Sequence, residues 1–158
     1  MLSYARIEPQ VLQVELHPYL TQQPLLKLAE TLGIAVTAYS SFGPQSYIEL
    51  GFNRNVKHLF EQDPVVKAAR THEKGLSFPM CCSIVTGTKA GTDPGQILLR
   101  WATQKGIAVI PKTNTQSRLI TNLDCTSFDL TEAEMQSING LNINLRVRSY
   151  VGYPHKTD

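Results

Sequence analysis

Apolar and polar positions alternate along Val11-Leu12-Gln13-Val14-Glu15-Leu16. The alternation and the β-branched residues predict a strand, stopped by His17-Pro18. Pro24 then stands at a first helical position, with Leu25, Leu28 and Leu32 on one face and Gly33 as the C-terminal cap, which predicts a helix. Ile34-Ala35-Val36-Thr37-Ala38-Tyr39 is an almost unbroken apolar run. Such a run predicts a strand covered on both faces, as in parallel sheets. From Ser40 to Gln62, with Gly43, Pro44, Gly51 and Asn53, the chain has no clear period, and a connection that long is expected to be functional or mobile. Asp63-Pro64 predicts an N-cap followed by a proline at the first helical position, with Val65, Val66 and Ala69 as the apolar side. Asp93-Pro94 opens a further helix with a buried stripe of Ile97, Leu98, Trp101 and Ala102, ended by Gly106. Ile107 to Ile110 predicts a third strand and Ser117 to Asn122 a short helix. Thr131 with Glu134 makes a capping box ahead of Met135, Ile138 and Leu141.

The order is therefore strand, helix, strand, helix, helix, strand, helix, helix. Strands alternating with helices imply parallel pairing through right-handed crossovers. Three strands are too few for an open doubly wound sheet and leave two bare edges, so the pattern predicts a piece of a larger α/β sheet or barrel.

Composition narrows the functional classes. Of 158 residues, 42% are apolar and 18% charged, with a net charge of +2; this is globular composition rather than disorder. Lys and Arg are scattered, which argues against nucleic acid as a partner. Residues 1–6 begin no secretory signal, and no apolar run nears the ~20 residues that span a bilayer, so no membrane partner is expected. Cys81, Cys82 and Cys125 are an odd set without Cys-x-x-Cys spacing, which suits free thiols and a cytoplasmic location.

Three motifs at strand ends carry the chemistry. They are Gln13-Val14-Glu15-Leu16-His17-Pro18-Tyr19-Leu20, then Ala38-Tyr39-Ser40-Ser41-Phe42-Gly43-Pro44-Gln45-Ser46, then Ile110-Pro111-Lys112-Thr113-Asn114 with Arg118 and Asn122. In order and spacing they resemble the sixth, seventh and eighth strands of the aldo-keto reductases, in wording nearest the fungal D-xylose (aldose) reductases. The resemblance covers residues 1 to about 146. It implies a partial (β/α)8 TIM barrel whose cofactor and substrate meet at the carboxy-terminal strand ends. Residues 1–158 would be the carboxy-terminal part of that domain, with an atypical insertion at 75–92 and a divergent tail at 147–158. The insertion is expected to be a translated intron or a gene-prediction error.

The resemblance also implies roles. Gln13 would hydrogen-bond the nicotinamide carboxamide, since an amide both donates and accepts. Tyr39 would stack on the nicotinamide. Ser40, Ser41, Phe42, Gly43, Gln45 and Ser46 would wrap the pyrophosphate, with Gly43 permitting close approach. Glu49 would accept from the adenosine ribose hydroxyls. Lys112 and Arg118 would hold the 2′-phosphate of NADPH, as a point charge and a planar fork. Thr113 and Asn114 would add neutral hydrogen bonds, and Asn114 could serve NADH as well. Asn122 would reach the adenine. Glu15 and His17 are read as structural rather than as metal ligands, and Trp101 as core.

The implied activity is NAD(P)H-dependent reduction of aldehydes or aldoses, of the D-xylose to xylitol type. The tyrosine, lysine, aspartate and histidine that the family uses for proton donation would precede this chain, so no catalytic residue is assigned and the isolated chain is expected to be inactive. A non-catalytic nucleotide-binding or interaction remnant is the alternative.

Overall fold

The computed structural model describes residues 5–44, 56–72 and 93–146. Strand β1 (Val11–Glu15), helix α1 (Gln23–Thr31) and strand β2 (Ala35–Tyr39) come first. A 3-10 turn at Leu59–Glu61 precedes helix α2 (Asp63–Thr71). Helix α3 (Pro94–Thr103), strand β3 (Ala108–Val109), helix α4 (Gln116–Leu123), a 3-10 turn (Asp124–Thr126) and helix α5 (Glu132–Asn139) complete the order. It is the predicted order. The strands form one parallel sheet, β1-β2-β3, in which Gln13 pairs with Thr37 and Thr37 with Ala108.

Side chains alternate across a strand, and here the alternation separates two environments. Val14, Val36, Ala38 and Val109 face the helices and join the core of Leu16, Leu59, Val65, Ile97, Leu98, Trp101 and Ile138. The opposite face carries Val11, Gln13, Ala35, Ala108 and Ile110, all exposed. Coverage on both faces was the expectation for β2; among the described residues the helices cover one.

Local chemistry explains the helix ends. Gly33 takes φ 64°, its N–H donates to Glu30 C=O, and Ile34 N–H donates to Ala29 C=O. Those paired bonds close α1 in a Schellman motif that needs a left-handed residue. Asp93 caps α3, accepting from Gly95 N–H at 2.9 Å, and Gln96 reaches back to complete the box. Thr131 and Glu134 do the same for α5.

Two readings need correction. The first concerns α1, where Leu28 and Leu32 are 54% and 41% exposed. The packed side is Leu26 and Ala29 instead, because the sheet contacts the helix one step round from the leucine row. The second concerns α2, whose cap is Gln62 in extended conformation, with Asp63 already helical. Gln62 is fixed there by donating to the Tyr19 hydroxyl at 2.6 Å, and Asp63 turns outward to Lys57 at 3.6 Å. The third strand is also shorter than the predicted Ile107 to Ile110. The proposed insertion at 75–92 and the tail at 147–158 lie outside the described residues.

Candidate functional site

The carboxy-terminal end of the sheet gathers most of the residues singled out above. Gln13 and Tyr39 have the same parity through the β1–β2 register, so both belong to the face away from the helices. Tyr39 ends β2 about two residues, or ~7 Å, beyond the level of Gln13. Gln13 is exposed and Tyr39 half-buried.

Directly after β2 the chain turns sharply. Gly43 N–H donates to Ser40 C=O at 2.7 Å. Ser40 holds φ 55° and Gly43 φ 62°, and a serine in the left-handed region is uncommon. A Cβ on Gly43 would sit 2.6 Å from a methyl carbon of Leu59, itself buried. Glycine is therefore required there by both backbone and space. Ser41 is buried, and its Oγ has no hydrogen-bond partner among the described residues. Phe42 packs edge-on to Phe60 at 5.4 Å between ring centroids and lies beside Gly95 at the start of α3. Gln45, Ser46 and Glu49 lie outside the described residues.

The segment after β3 emerges next to this turn, because Ile110 N–H donates to Ala38 C=O at 3.3 Å. Lys112 and Asn114 are exposed and Thr113 is half-buried. Thr115 N–H donates to Thr113 Oγ1 at 3.1 Å, a local turn that leads into α4. Arg118 is exposed on α4 and Asn122 half-buried. Gln96 ties α4 to the start of α3 by donating to Thr121 C=O at 2.9 Å. The turn after β2, the start of α3, the segment after β3 and α4 thus share one end of the molecule. Leu119, Ile120 and Leu123 leave 52%, 59% and 80% of their surface exposed on α4.

Neighbouring polar residues have structural partners. Glu15 and His17 pair at 3.1 Å in full burial. The Tyr19 hydroxyl donates to Lys57 C=O at 2.5 Å and accepts from Gln62. Burial pushes its pKa above the ordinary value, against the opposing effect of Gln62. Among the described residues no group of three or more His, Cys, Asp or Glu side chains could hold a metal ion, and no helix is long and apolar enough to cross a membrane. One feature outside the motifs was not foreseen: Lys105 lies over the ring of Trp101, four residues before it, and bonds Asn139, 34 residues away in sequence.

Comparison with known proteins bears on this end of the sheet. The aldo/keto reductase family profile matches residues 1–143. The chain is 46% identical over 155 residues to a probable NAD(P)H-dependent D-xylose reductase of Aspergillus terreus, covering 97% of this chain and 43% of that protein. It is 47% identical over 148 residues to the NAD(P)H-dependent D-xylose reductase of Scheffersomyces stipitis, covering 92% of this chain and 41% of the relative. The chain therefore spans less than half the length of these curated relatives. Among solved structures, it is similar to a Bombyx mori aldo-keto reductase in complex with NADP, at TM-score 0.71 and 30% identity, over 92% of this chain and 41% of that one. An aldo-keto reductase from a deep-sea metagenome gives TM-score 0.73 at 26% identity, over 96% of this chain and 48% of that one. The three-stranded parallel sheet and its helices are thus part of a (β/α) barrel.

Proposed function

The chain belongs to the aldo/keto reductase family, and we propose that it carries the dinucleotide-binding part of an NAD(P)H-dependent reductase of aldehydes or aldoses, with D-xylose as the candidate sugar. The observation that carries this reading is the side-by-side emergence of the turn after β2 and the segment after β3, with Lys112 and Arg118 exposed beside them.

The residues present fit a dinucleotide. Ser41 Oγ is buried without a partner among the described residues, as suits a group meant for a phosphate oxygen. The strained turn from Ser40 to Gly43 brings backbone N–H groups close to any anion placed there. Lys112 and Arg118 would hold the 2′-phosphate, Thr113, Asn114 and Asn122 the adenosine end, and Gln13 and Tyr39 the nicotinamide end. Bound NAD(P)H would supply the hydride. Gln13 fixes the carboxamide by donating and accepting, and the Tyr39 ring restricts which face of the nicotinamide is open.

Proton donation is a separate requirement. Tyr19 keeps its proton in a bond to Lys57 C=O, with a pKa raised by burial, so it is unsuited to protonate an alkoxide. We therefore propose that the isolated chain binds NADPH without turning over D-xylose, because general acid catalysis typically contributes ~10²–10⁴-fold.

Titration of the purified chain with NADPH tests the binding reading. Saturable binding that raises the melting temperature supports it, since ligand at 100 times Kd adds about 2.7 kcal/mol of stability. Absence of saturable binding by a folded chain overturns it. Sustained xylose-dependent NADPH oxidation by the same sample overturns the inactivity reading alone.

A further inference from the structure

At the opposite end of the strands a cavity of about 610 Å³ opens between α1, the starts of β2 and β3, and α5. Its apolar walls include Leu26, Val36 and Ile107, and Lys105 lines it. The Lys105 Nζ lies 3.7 Å from the centre of the Trp101 ring and donates to Asn139 Oδ1 at 2.7 Å. The Trp101 indole N–H donates to the same oxygen at 2.9 Å. Trp101 is 1% exposed, so this arrangement is anchored in the core.

We propose that Lys105 is an imine-forming site for free aldehydes, and that the adjoining cavity favours aldehydes with a short apolar tail. The site is separate from the proposed dinucleotide end and does not depend on that assignment. An amine held in apolar surroundings is the arrangement that turns a lysine into a carbonyl nucleophile. Its immediate hydrogen-bond acceptor is a neutral amide rather than a carboxylate, and the indole face supplies only part of the stabilisation that water gives an ammonium. Burial accordingly lowers the Lys105 pKa to about 8. The other charged groups lining the cavity are Lys27 and Glu30, one of each sign, both exposed on α1; the edges of β2 and β3 and α5 contribute none to the lining.

The chemistry needs no oxidant or reductant. The neutral ε-nitrogen attacks the aldehyde carbon, the C=O electron pair moves to oxygen, and a proton passes from nitrogen to that oxygen. The carbinolamine then loses water, leaving a C=N bond between Lys105 and the former aldehyde carbon.

The test treats the full chain with hexanal and sodium cyanoborohydride at neutral pH, stops at low conversion, and maps each lysine by peptide mass spectrometry. The neutral fraction at Lys105 exceeds that of an ordinary lysine by on the order of a hundredfold. Its lower basicity offsets part of that gain, so Lys105 should be alkylated roughly tenfold faster than Lys27, Lys57, Lys67 or Lys112. Trp101, the chain's single tryptophan, should change its emission on the same time course. Asn139→Asp places a full negative charge beside the ammonium and should slow alkylation several-fold. Lys105→Arg should abolish the Trp101 response while the other lysines react as before. Glycolaldehyde, which lacks the tail, should show a smaller preference for Lys105. Even labelling of all lysines, or preference for Lys112, overturns the proposal; an equal preference with glycolaldehyde overturns the cavity's part in it.

Discussion

The two faces of the sheet share strands and differ in everything else. On the helix side, Ala38 and Leu98 are fully buried, and α2, α3 and α5 close over them. On the other side, Val11 is 59% and Ile110 49% exposed, although both are as apolar as their core counterparts. The difference teaches that alternation along a strand identifies its two faces but not which of them is covered. The covered face should hold the stability and the strand ends should hold the binding, and the two can be separated by mutation.

The largest effect is expected on the covered face. Leu98→Ala removes a fully buried side chain and should cost ~2–5 kcal/mol, read as a lower urea midpoint. A loss under about 1 kcal/mol would mean that α3 is not the keystone of that face. At the boundary between the two regimes, Gly43→Ala should cost ~1–3 kcal/mol through its positive φ and the clash with Leu59. The double substitution Lys112→Met with Arg118→Gln should weaken NADPH binding by about tenfold or more, some 1.4 kcal/mol, through two lost charge-assisted contacts. Both side chains are exposed, so the unliganded melting temperature should stay put. A fall in melting temperature with binding unchanged would reverse the assigned roles.

A pH series sharpens the same division. Glu134 joins α5 to α2 by pairing with His72 at 3.0 Å. Burial opposes ionisation there, but the bonds from His72 and Thr131 outweigh it and hold the carboxyl below its ordinary 4.5. A carboxyl depressed in the folded chain contributes stability above its unfolded pKa and loses it as pH falls through the folded value. Glu134→Gln should therefore flatten the stability profile below about pH 4.5; an unchanged acid slope would place the sensitivity elsewhere. The smallest effect belongs to the open face, where Ile110→Thr should shift stability by no more than about 0.5 kcal/mol.

Much of this division was legible in the sequence. The capping signals at Asp93 and Thr131 use neighbours three residues apart, so local chemistry settles them. Gly33 was legible for the same reason. Asp63 misled because its cap position was decided by Tyr19, more than forty residues away, through Gln62. Leu28 and Leu32 misled because helical spacing gives a face but not the neighbour it meets. At the candidate site the motifs named the residues, while the left-handed Ser40 and the orphaned Ser41 hydroxyl needed coordinates. Lys105 carried only half a signal: Trp101 stands four residues before it, but Asn139, 34 residues away, becomes a neighbour only in the fold.

Tyr19 fastens the turn after β1 to the last described segment. Its carbonyl accepts from Ile143 N–H at 3.3 Å and Leu145 N–H at 2.9 Å, and its side chain is almost fully enclosed. The turn after β1 is thus held from two sides, by its own His17–Leu20 pairing and by a segment more than a hundred residues further along the chain. Removing residues 143–145 should therefore loosen the turn after β1 as well as the chain's last described stretch, and faster hydrogen exchange at the Leu20 amide, which donates to His17 C=O, would show it.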